Sequence, residues 1–126
     1  MKVEAMEWVQ KAEGDMNTAR RESIVEKDPN HDAVCFHAQQ CAGKYLKALF
    51  IETGLPLTRT HDLEILLNQL LPFIKELNEL LASVRILSAM AVEIRYPGMV
   101  ADEDDAVEAL RSTDKIRKAI RTALGI

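Results

Sequence analysis

Residues 31–52, HDAVCFHAQQCAGKYLKALFIE, decide the fold class of this chain. At about 100° per residue, most of the circumference of this predicted helix is apolar, and one narrow stripe is polar. The polar stripe consists of His37, Gln40, Lys44 and Lys47, and the apolar residues are Val34, Phe36, Ala38, Cys41, Tyr45, Leu46 and Leu49. A helix with so wide an apolar surface is expected in the middle of a helical bundle.

Gln39 departs from this pattern, because it projects roughly 200° from His37, into the apolar sector. A buried amide group needs hydrogen-bond partners, and each unsatisfied group costs about 1 to 3 kcal/mol.

Cys35 and Cys41 lie about 120° apart around the same helix, beyond disulfide reach of each other. We expect both cysteines to be small buried hydrophobic residues.

Four further segments have helical periodicity, and Pro, Gly or Asp-Pro breakers separate them. The five predicted helices run from about Glu4–Glu26, His31–Glu52, Thr60–Leu71, Phe73–Arg95 and Asp102–Leu124. Thr60 is the predicted N-cap of the third helix, and the predicted inward face of the fifth is Ala106, Val107, Leu110, Ile116, Ile120 and Leu124. Short connections and the lack of a strand pattern predict an all-α, antiparallel up-and-down bundle of five helices, with residues 1–126 forming a single domain.

Composition limits the classes of partner. A hydrophobic content of 48% and a charged content of 29% exclude a disordered chain. The net charge of −4 gives no general attraction to nucleic acid or to anionic membranes, so RNA binding would need a local basic patch. There is no apolar run of about 18 residues and no basic leader, so we expect a cytoplasmic protein that does not bind membranes. The apolar surface of the second helix favours a homodimer.

Few motifs in the chain indicate a catalytic or ligand-binding site. The chain has no glycine-rich phosphate loop, thiolate zinc cluster, nucleophile elbow or His-Glu-x-x-His helix. The stripe of His37, Gln40, Lys44 and Lys47 offers cationic and amide donors to a phosphate or a nucleotide, although the solvated face of a helix has the same pattern. Arg95 and Tyr96 could supply a guanidinium fork for phosphate and a stacking face, or could simply end a helix before Pro97-Gly98.

A metal site is a further hypothesis. His37, His61, Asp62 and Asp102 occur in the order of the ligands of an HD-type phosphohydrolase, and metal sites favour such imidazole and carboxylate sets. However, His31-Asp32 and His61-Asp62 both lie at predicted helix N-termini, where the helix dipole favours Asp. The sequence therefore favours a structural role for these pairs, and we predict neither a metal nor another cofactor.

Taken together, WVQKAEGDMNTAR (8–20), FHAQQCAGKYLKALF (36–50), THDLEILL (60–67) and RYP (95–97) resemble the HEPN domain family, the nucleotide-binding domain of higher eukaryotes and prokaryotes. The resemblance extends from Trp8 to the last helix. It implies a compact helical bundle that is commonly dimeric. It also implies a genetic association with a minimal nucleotidyltransferase in toxin–antitoxin pairs.

The resemblance also implies a candidate nuclease site with one departure from the family pattern. Many HEPN proteins are metal-independent ribonucleases with an arginine followed, after four to six residues, by a histidine. Arg95 matches the arginine, but no histidine follows it. Cleavage through the RNA 2′-OH needs a base and an acid near neutral pH, and arginine stays charged.

We therefore predict no catalytic residue from this motif alone. The predicted function is a HEPN module that binds a nucleotide or RNA, pairs with a minimal nucleotidyltransferase, or does both. The candidate binding residues are Arg95, Tyr96, His61, His37, Gln40, Lys44 and Lys47. The alternative is a metal-independent ribonuclease toxin in which His61 or His37 acts with Arg95, and an HD-type phosphohydrolase is the third hypothesis.

Overall fold

The structure, a computed structural model, describes residues 1–94 and 96–126. Over these residues it contains five α-helices, one 3₁₀-helix and no strand, which confirms the predicted all-α bundle. The α-helices are α1 (Val3–Ser23), α2 (His31–Thr53), α3 (Leu63–Leu70), α4 (Leu81–Glu93) and α5 (Glu103–Leu124), and the 3₁₀-helix (Lys75–Leu80) precedes α4. None of the described helices is long and apolar enough to cross a membrane.

Helix α2 lies at the centre, in contact with α1, α3, α4 and α5. Asn30 caps its N-terminus by accepting a hydrogen bond from the backbone N–H of Ala33. Its C-terminus ends at Gly54, which adopts the left-handed conformation (φ 78°) that glycine tolerates best. The fully buried side chains of Tyr45, Leu46, Leu49 and Phe50 face the other helices, as the width of the apolar sector predicted.

The N-terminus of α3 differs from the prediction. Asp62, not Thr60, is the N-cap, and its carboxylate accepts from the backbone N–H groups of Glu64 and Ile65. Thr60 Oγ1 accepts from Asp62 N–H at 3.1 Å and so supports the turn that leads into the helix. A carboxylate at the N-cap also interacts favourably with the helix dipole, which explains why the helix begins two residues later.

The segment predicted as one helix from Phe73 to Arg95 is divided. Residues Lys75–Leu80 form a 3₁₀-helix, and the α-helix begins at Leu81. The predicted end at Arg95 lies outside the described residues. Pro72 removes a backbone donor just before this segment, and the tighter turns still bury Leu77 and Leu80 in the core.

Val107 was predicted to face inward but is 47% exposed, and Phe36, in the apolar sector of α2, is 50% exposed. On α5 the buried face instead includes Ala109, Ser112 and Thr113. Small residues occupy these positions because α5 packs closely against α2. Cys35 and Cys41 are buried and unpaired, as predicted, and burial raises the pKa of their thiols to about 11 and about 12.

Candidate functional site

A groove runs along one face of α2. It consists of a wider cavity of about 690 Å³ and a narrower cavity of about 180 Å³, which share Gln39, Gln40 and His61. We call the two cavities together the α2 groove. Phe36 lines the wider cavity, and five further residues of α2 line the groove on successive turns: Ala33, His37, Gln40, Lys44 and Lys47. Their spacing of three or four residues places them on one side of the helix.

The opposite wall comes from other parts of the chain. The segment before α3 contributes His61, and the end of α4 contributes Ala91 and Ile94 to the wider cavity. In the narrower cavity, Trp8 of α1 and Thr60 complete the wall. A third cavity of about 330 Å³ adjoins at Gln39 and His61, where Ser88 Oγ is buried without a hydrogen-bond partner among the described residues.

The structure brings five of the seven candidate residues to this groove. His37 lies in the wider cavity, Lys44 and Lys47 lie in the narrower one, and Gln40 and His61 border both. Tyr96 is 63% exposed and does not line the described part of the groove. Arg95 lies outside the described residues.

Asp15 of α1 holds two side chains of the groove. Its Oδ1 atom is 2.8 Å from His37 Nδ1, and its Oδ2 atom accepts a hydrogen bond from Lys44 Nζ at 2.5 Å. The carboxylate side chain is only 11% exposed, which strengthens both interactions relative to a surface pair. When the imidazole donates Nδ1–H to the carboxylate, its Nε2 atom is left free to accept from a ligand.

Lys47 has a different environment from Lys44. Its Nζ atom lies 5.3 Å from the centroid of the Trp8 ring, within the range of a cation–π interaction. Among residues 1–94 and 96–126, it has no carboxylate within salt-bridge distance. Burial, and to a smaller extent the charge of Lys44, lowers the pKa of Lys47.

The sequence alone did not identify Asp15, Trp8, Gln39 or Thr60 as groove residues. One signal was present for Asp15, since it shares a stripe of α1 with Trp8, Ala12 and Ala19, where a carboxylate needs a partner. Gln39 was predicted to project into the apolar sector. It is partly buried, and its side chain lines all three cavities.

The ligand set of the HD-type metal hypothesis is not assembled. Asp62 caps α3, and Asp102 caps α5 in a reciprocal capping box with Asp105. His37 is paired with Asp15. Over the described part of the chain, no group of three or more His, Cys, Asp or Glu side chains is arranged to hold a metal ion.

Comparisons with known proteins identify the fold and the family. A crystal structure of TT1696 from Thermus thermophilus matches with a TM-score of 0.80 and 23% identity, covering 94% of this chain and 96% of that chain. A crystal structure of ST0689, an archaeal HEPN homologue, matches with a TM-score of 0.77 and 23% identity, covering 98% of each chain. A comparison with curated proteins finds no match. The sequence model described as "HEPN domain" matches residues 5–123, and the chain therefore belongs to the HEPN domain family.

Proposed function

We propose that this chain is a HEPN module that binds a nucleotide or a short RNA in the α2 groove. The observation that carries the proposal is the convergence of Gln39, Gln40 and His61 at the junction of the two cavities. Carboxamides present donors and acceptors together, and an imidazole can do the same, so this junction suits the edge of a base. The lysines at one end suit the phosphate.

The test is equilibrium binding of AMP, GMP and a short RNA to purified protein. Gln40→Ala and His61→Ala should each weaken binding by about five- to tenfold, since each removes hydrogen bonds from a partly desolvated site. Asn68→Ala is the matched control, because Asn68 carries an exposed carboxamide on α3, away from the groove. The proposal fails if no nucleotide or RNA binds, or if the groove variants bind as tightly as the control.

A homodimer and a minimal nucleotidyltransferase partner of the toxin–antitoxin type are part of the proposal, as the family resemblance implies. Exposed apolar side chains support a protein interface: Phe36 lines the wider cavity, Val92 lines the third cavity, and Tyr96, Met99 and Val100 follow α4 in the chain. Sedimentation velocity would measure the dimer. Co-purification with the product of a neighbouring nucleotidyltransferase gene would test the pairing, and failure of either result would remove that part.

The second candidate function is a metal-independent ribonuclease. Its support is that His37 and His61 both line the wider cavity, so one imidazole can accept the 2′-OH proton while the other protonates the leaving 5′-oxygen. The P–O5′ bond breaks as the 2′-oxygen bonds to phosphorus, and a 2′,3′-cyclic phosphate results.

RNA cleavage in the presence of a chelator tests this second candidate. It should disappear in His37→Ala and in His61→Ala, with losses of about a hundredfold or more for each removed proton carrier, and it should also disappear in Arg95→Ala, which removes a phosphate-binding charge. Cleavage that survives in all three variants would exclude a site built from these residues. If the wild type does not cleave RNA, the ribonuclease function is excluded and only the proposed binding function remains.

A further inference from the structure

The narrower cavity differs in chemistry from the rest of the α2 groove. It combines two lysines, a hydroxyl group, an imidazole and an indole ring, contributed by Lys44, Lys47, Thr60, His61 and Trp8. Over the described residues, no carboxylate lines it. The wider cavity contains one carboxylate, Asp32, which already accepts a hydrogen bond from the backbone N–H of Ala101 at 2.7 Å. The positive end of the groove is therefore the narrower cavity.

Lys47 is the lysine of the narrower cavity whose charge is not balanced by a carboxylate of the described residues. Asp15 balances the charge of Lys44, whereas Lys47 lies over the face of the Trp8 ring and pairs with no carboxylate of the described residues. Its partial burial and the neighbouring Lys44 both disfavour its charged form, as its lowered pKa reflects. A bound anion would offset both effects at once.

The size of the narrower cavity indicates which anion fits. Its volume of about 180 Å³ is much smaller than the 690 Å³ of the wider cavity, so the narrower cavity suits the smaller part of a nucleotide, its phosphate group. Thr60 Oγ1 accepts from Asp62 N–H, so its own hydroxyl hydrogen is left to donate to a phosphate oxygen. The partly buried Trp8 ring forms the adjacent wall, on which a base can stack.

We infer that the narrower cavity is a phosphate subsite centred on Lys47, Thr60 and Trp8, and that the groove takes a single-stranded chain of several nucleotides rather than one nucleotide. This inference rests on the proposed function and specifies the ligand. The phosphate held by Lys47 belongs to one nucleotide of the chain, and the bases of its neighbours occupy the wider cavity.

The length of the groove supports a chain of nucleotides. Phe36 and Lys47 are about 16 Å apart along α2, at a rise of about 1.5 Å per residue. Stacked nucleotides advance by about 3.4 Å each, so this span corresponds to roughly four or five of them. Phe36 is half exposed at one end and Trp8 lines the other end, so each end has an aromatic face for a base.

Trp8 is the only tryptophan in the chain, so its fluorescence reports directly on this subsite. We would titrate the wild type with AMP and with a tetranucleotide of adenosines. The tetranucleotide should quench Trp8 and bind at least about tenfold more tightly than AMP, because additional bases stack. Lys47→Gln should weaken tetranucleotide binding by about five- to tenfold and reduce the slope of log K against log salt by about 0.7.

Lys118→Gln is the matched control. Lys118 is an exposed lysine of α5 that pairs with Asp114 and does not line the groove, and its substitution should leave binding unchanged. Far-ultraviolet circular dichroism would show that both variants fold. Equal affinity for AMP and the tetranucleotide, or equal effects of the two substitutions, would overturn the subsite while leaving groove binding intact. If neither ligand binds, the proposed function fails as well.

Discussion

At the scale of single residues, Asp15 is the side chain on which the groove most depends. It is nearly buried, and it fixes His37 and Lys44, which line different cavities. A carboxylate between two potential cations stabilises both by Coulomb attraction in a region of low dielectric constant. Asp15 therefore couples the geometry of the imidazole end of the groove to that of the lysine end.

Replacing Asp15 with Asn should reduce the free energy of unfolding by about 1–3 kcal/mol, because Lys44 then remains partly buried without its counter-charge. Urea denaturation at neutral pH would measure the loss. Asp114→Asn is the control, since Asp114 pairs with Arg20 and Lys118 on the surface. That substitution should cost less than about 1 kcal/mol, and equal costs for the two variants would contradict the role given to Asp15.

The importance of these single residues was only partly predictable. The polar stripe of α2 follows from helical periodicity, and this periodicity alone predicts four of the groove residues. Asp15 and Trp8 are on another helix, and their contacts depend on how α1 packs against α2. Periodicity gives the face of one helix, but it does not give its rotation or its register relative to a neighbour.

At the scale of the helices, α1, α2 and α5 meet in a network of charged and hydroxyl groups. Arg117 donates two hydrogen bonds to Glu13, at 2.8 and 2.6 Å, and Arg121 donates to the buried hydroxyl of Tyr45 at 3.1 Å. The bidentate bond from Arg117 lowers the pKa of Glu13 from 4.5 to about 2, against the opposing effect of burial. This network connects the first helix to the last.

The Glu13–Arg117 pair predicts a dependence of stability on pH. A carboxyl group whose pKa is lowered by folding contributes stability above its unfolded pKa, and the contribution disappears as the pH falls from 4.5 toward 2. Glu13→Gln should therefore destabilise the protein by about 1–2 kcal/mol at pH 7, allowing for partial solvent screening. Urea unfolding should show a smaller difference from the wild type at pH 3 than at pH 7.

Glu108→Gln provides the comparison for that experiment. Glu108 pairs with Arg111 within α5, and both side chains are well exposed. Its removal should change the stability by less than about 0.5 kcal/mol at either pH. A Glu13 effect that stays constant between pH 7 and pH 3 would show that the ionic pair is not its source.

Gly14 and Gly43 both lie within helices, and replacing each with alanine should change the stability to a different extent. A methyl group added at Gly14 of α1 would meet no atom within 4 Å, whereas one at Gly43 of α2 would lie 3.3 Å from Leu63 Cδ2. Gly14→Ala should stabilise the protein by about 0.5–1 kcal/mol through helix propensity. Gly43→Ala should gain less, because the buried Leu63 must shift, and thermal unfolding of both variants would measure the difference.

The helix boundaries show where a sequence pattern alone is enough to locate the end of a helix. The ends of α2 and α5 were predicted closely, because Asn30, Gly54 and Asp102 are strong capping residues with little competition nearby. At α3, Thr60 and Asp62 compete as caps, and only the turn geometry decides between them. The 3₁₀ segment before α4 was not predictable, since its apolar spacing also fits an α-helix.

At the scale of the whole molecule, α2 provides the common core of all the other helices. Leu46 is fully buried in it, so Leu46→Ala should cost about 2–5 kcal/mol and lower the urea midpoint of the entire transition. Ile65→Ala, on the exposed side of α3, should cost less than about 1 kcal/mol. A transition of Leu46→Ala that splits into two steps would contradict a core shared by all helices.

The fold class, the central position of α2 and the family were predictable from the sequence, since they depend on apolar periodicity and on short motifs in a fixed order. The groove was predictable only as a stripe on one helix. Its second wall, with His61 and the end of α4, is brought there by long-range packing between segments that the sequence does not pair. This is why five of the candidate residues could be named without the groove that contains them.

The burial of Cys35 and Cys41 in the central helix has a practical consequence. Because both thiols are buried, and burial also raises their pKa, we expect maleimide reagents to react only slowly with the native protein at these positions. A single cysteine introduced at an exposed position beside the groove can therefore carry a fluorophore or a spin label while the natural cysteines remain in place. Conversely, the time course with which Cys35 and Cys41 become alkylated measures how often α2 is released from its neighbours.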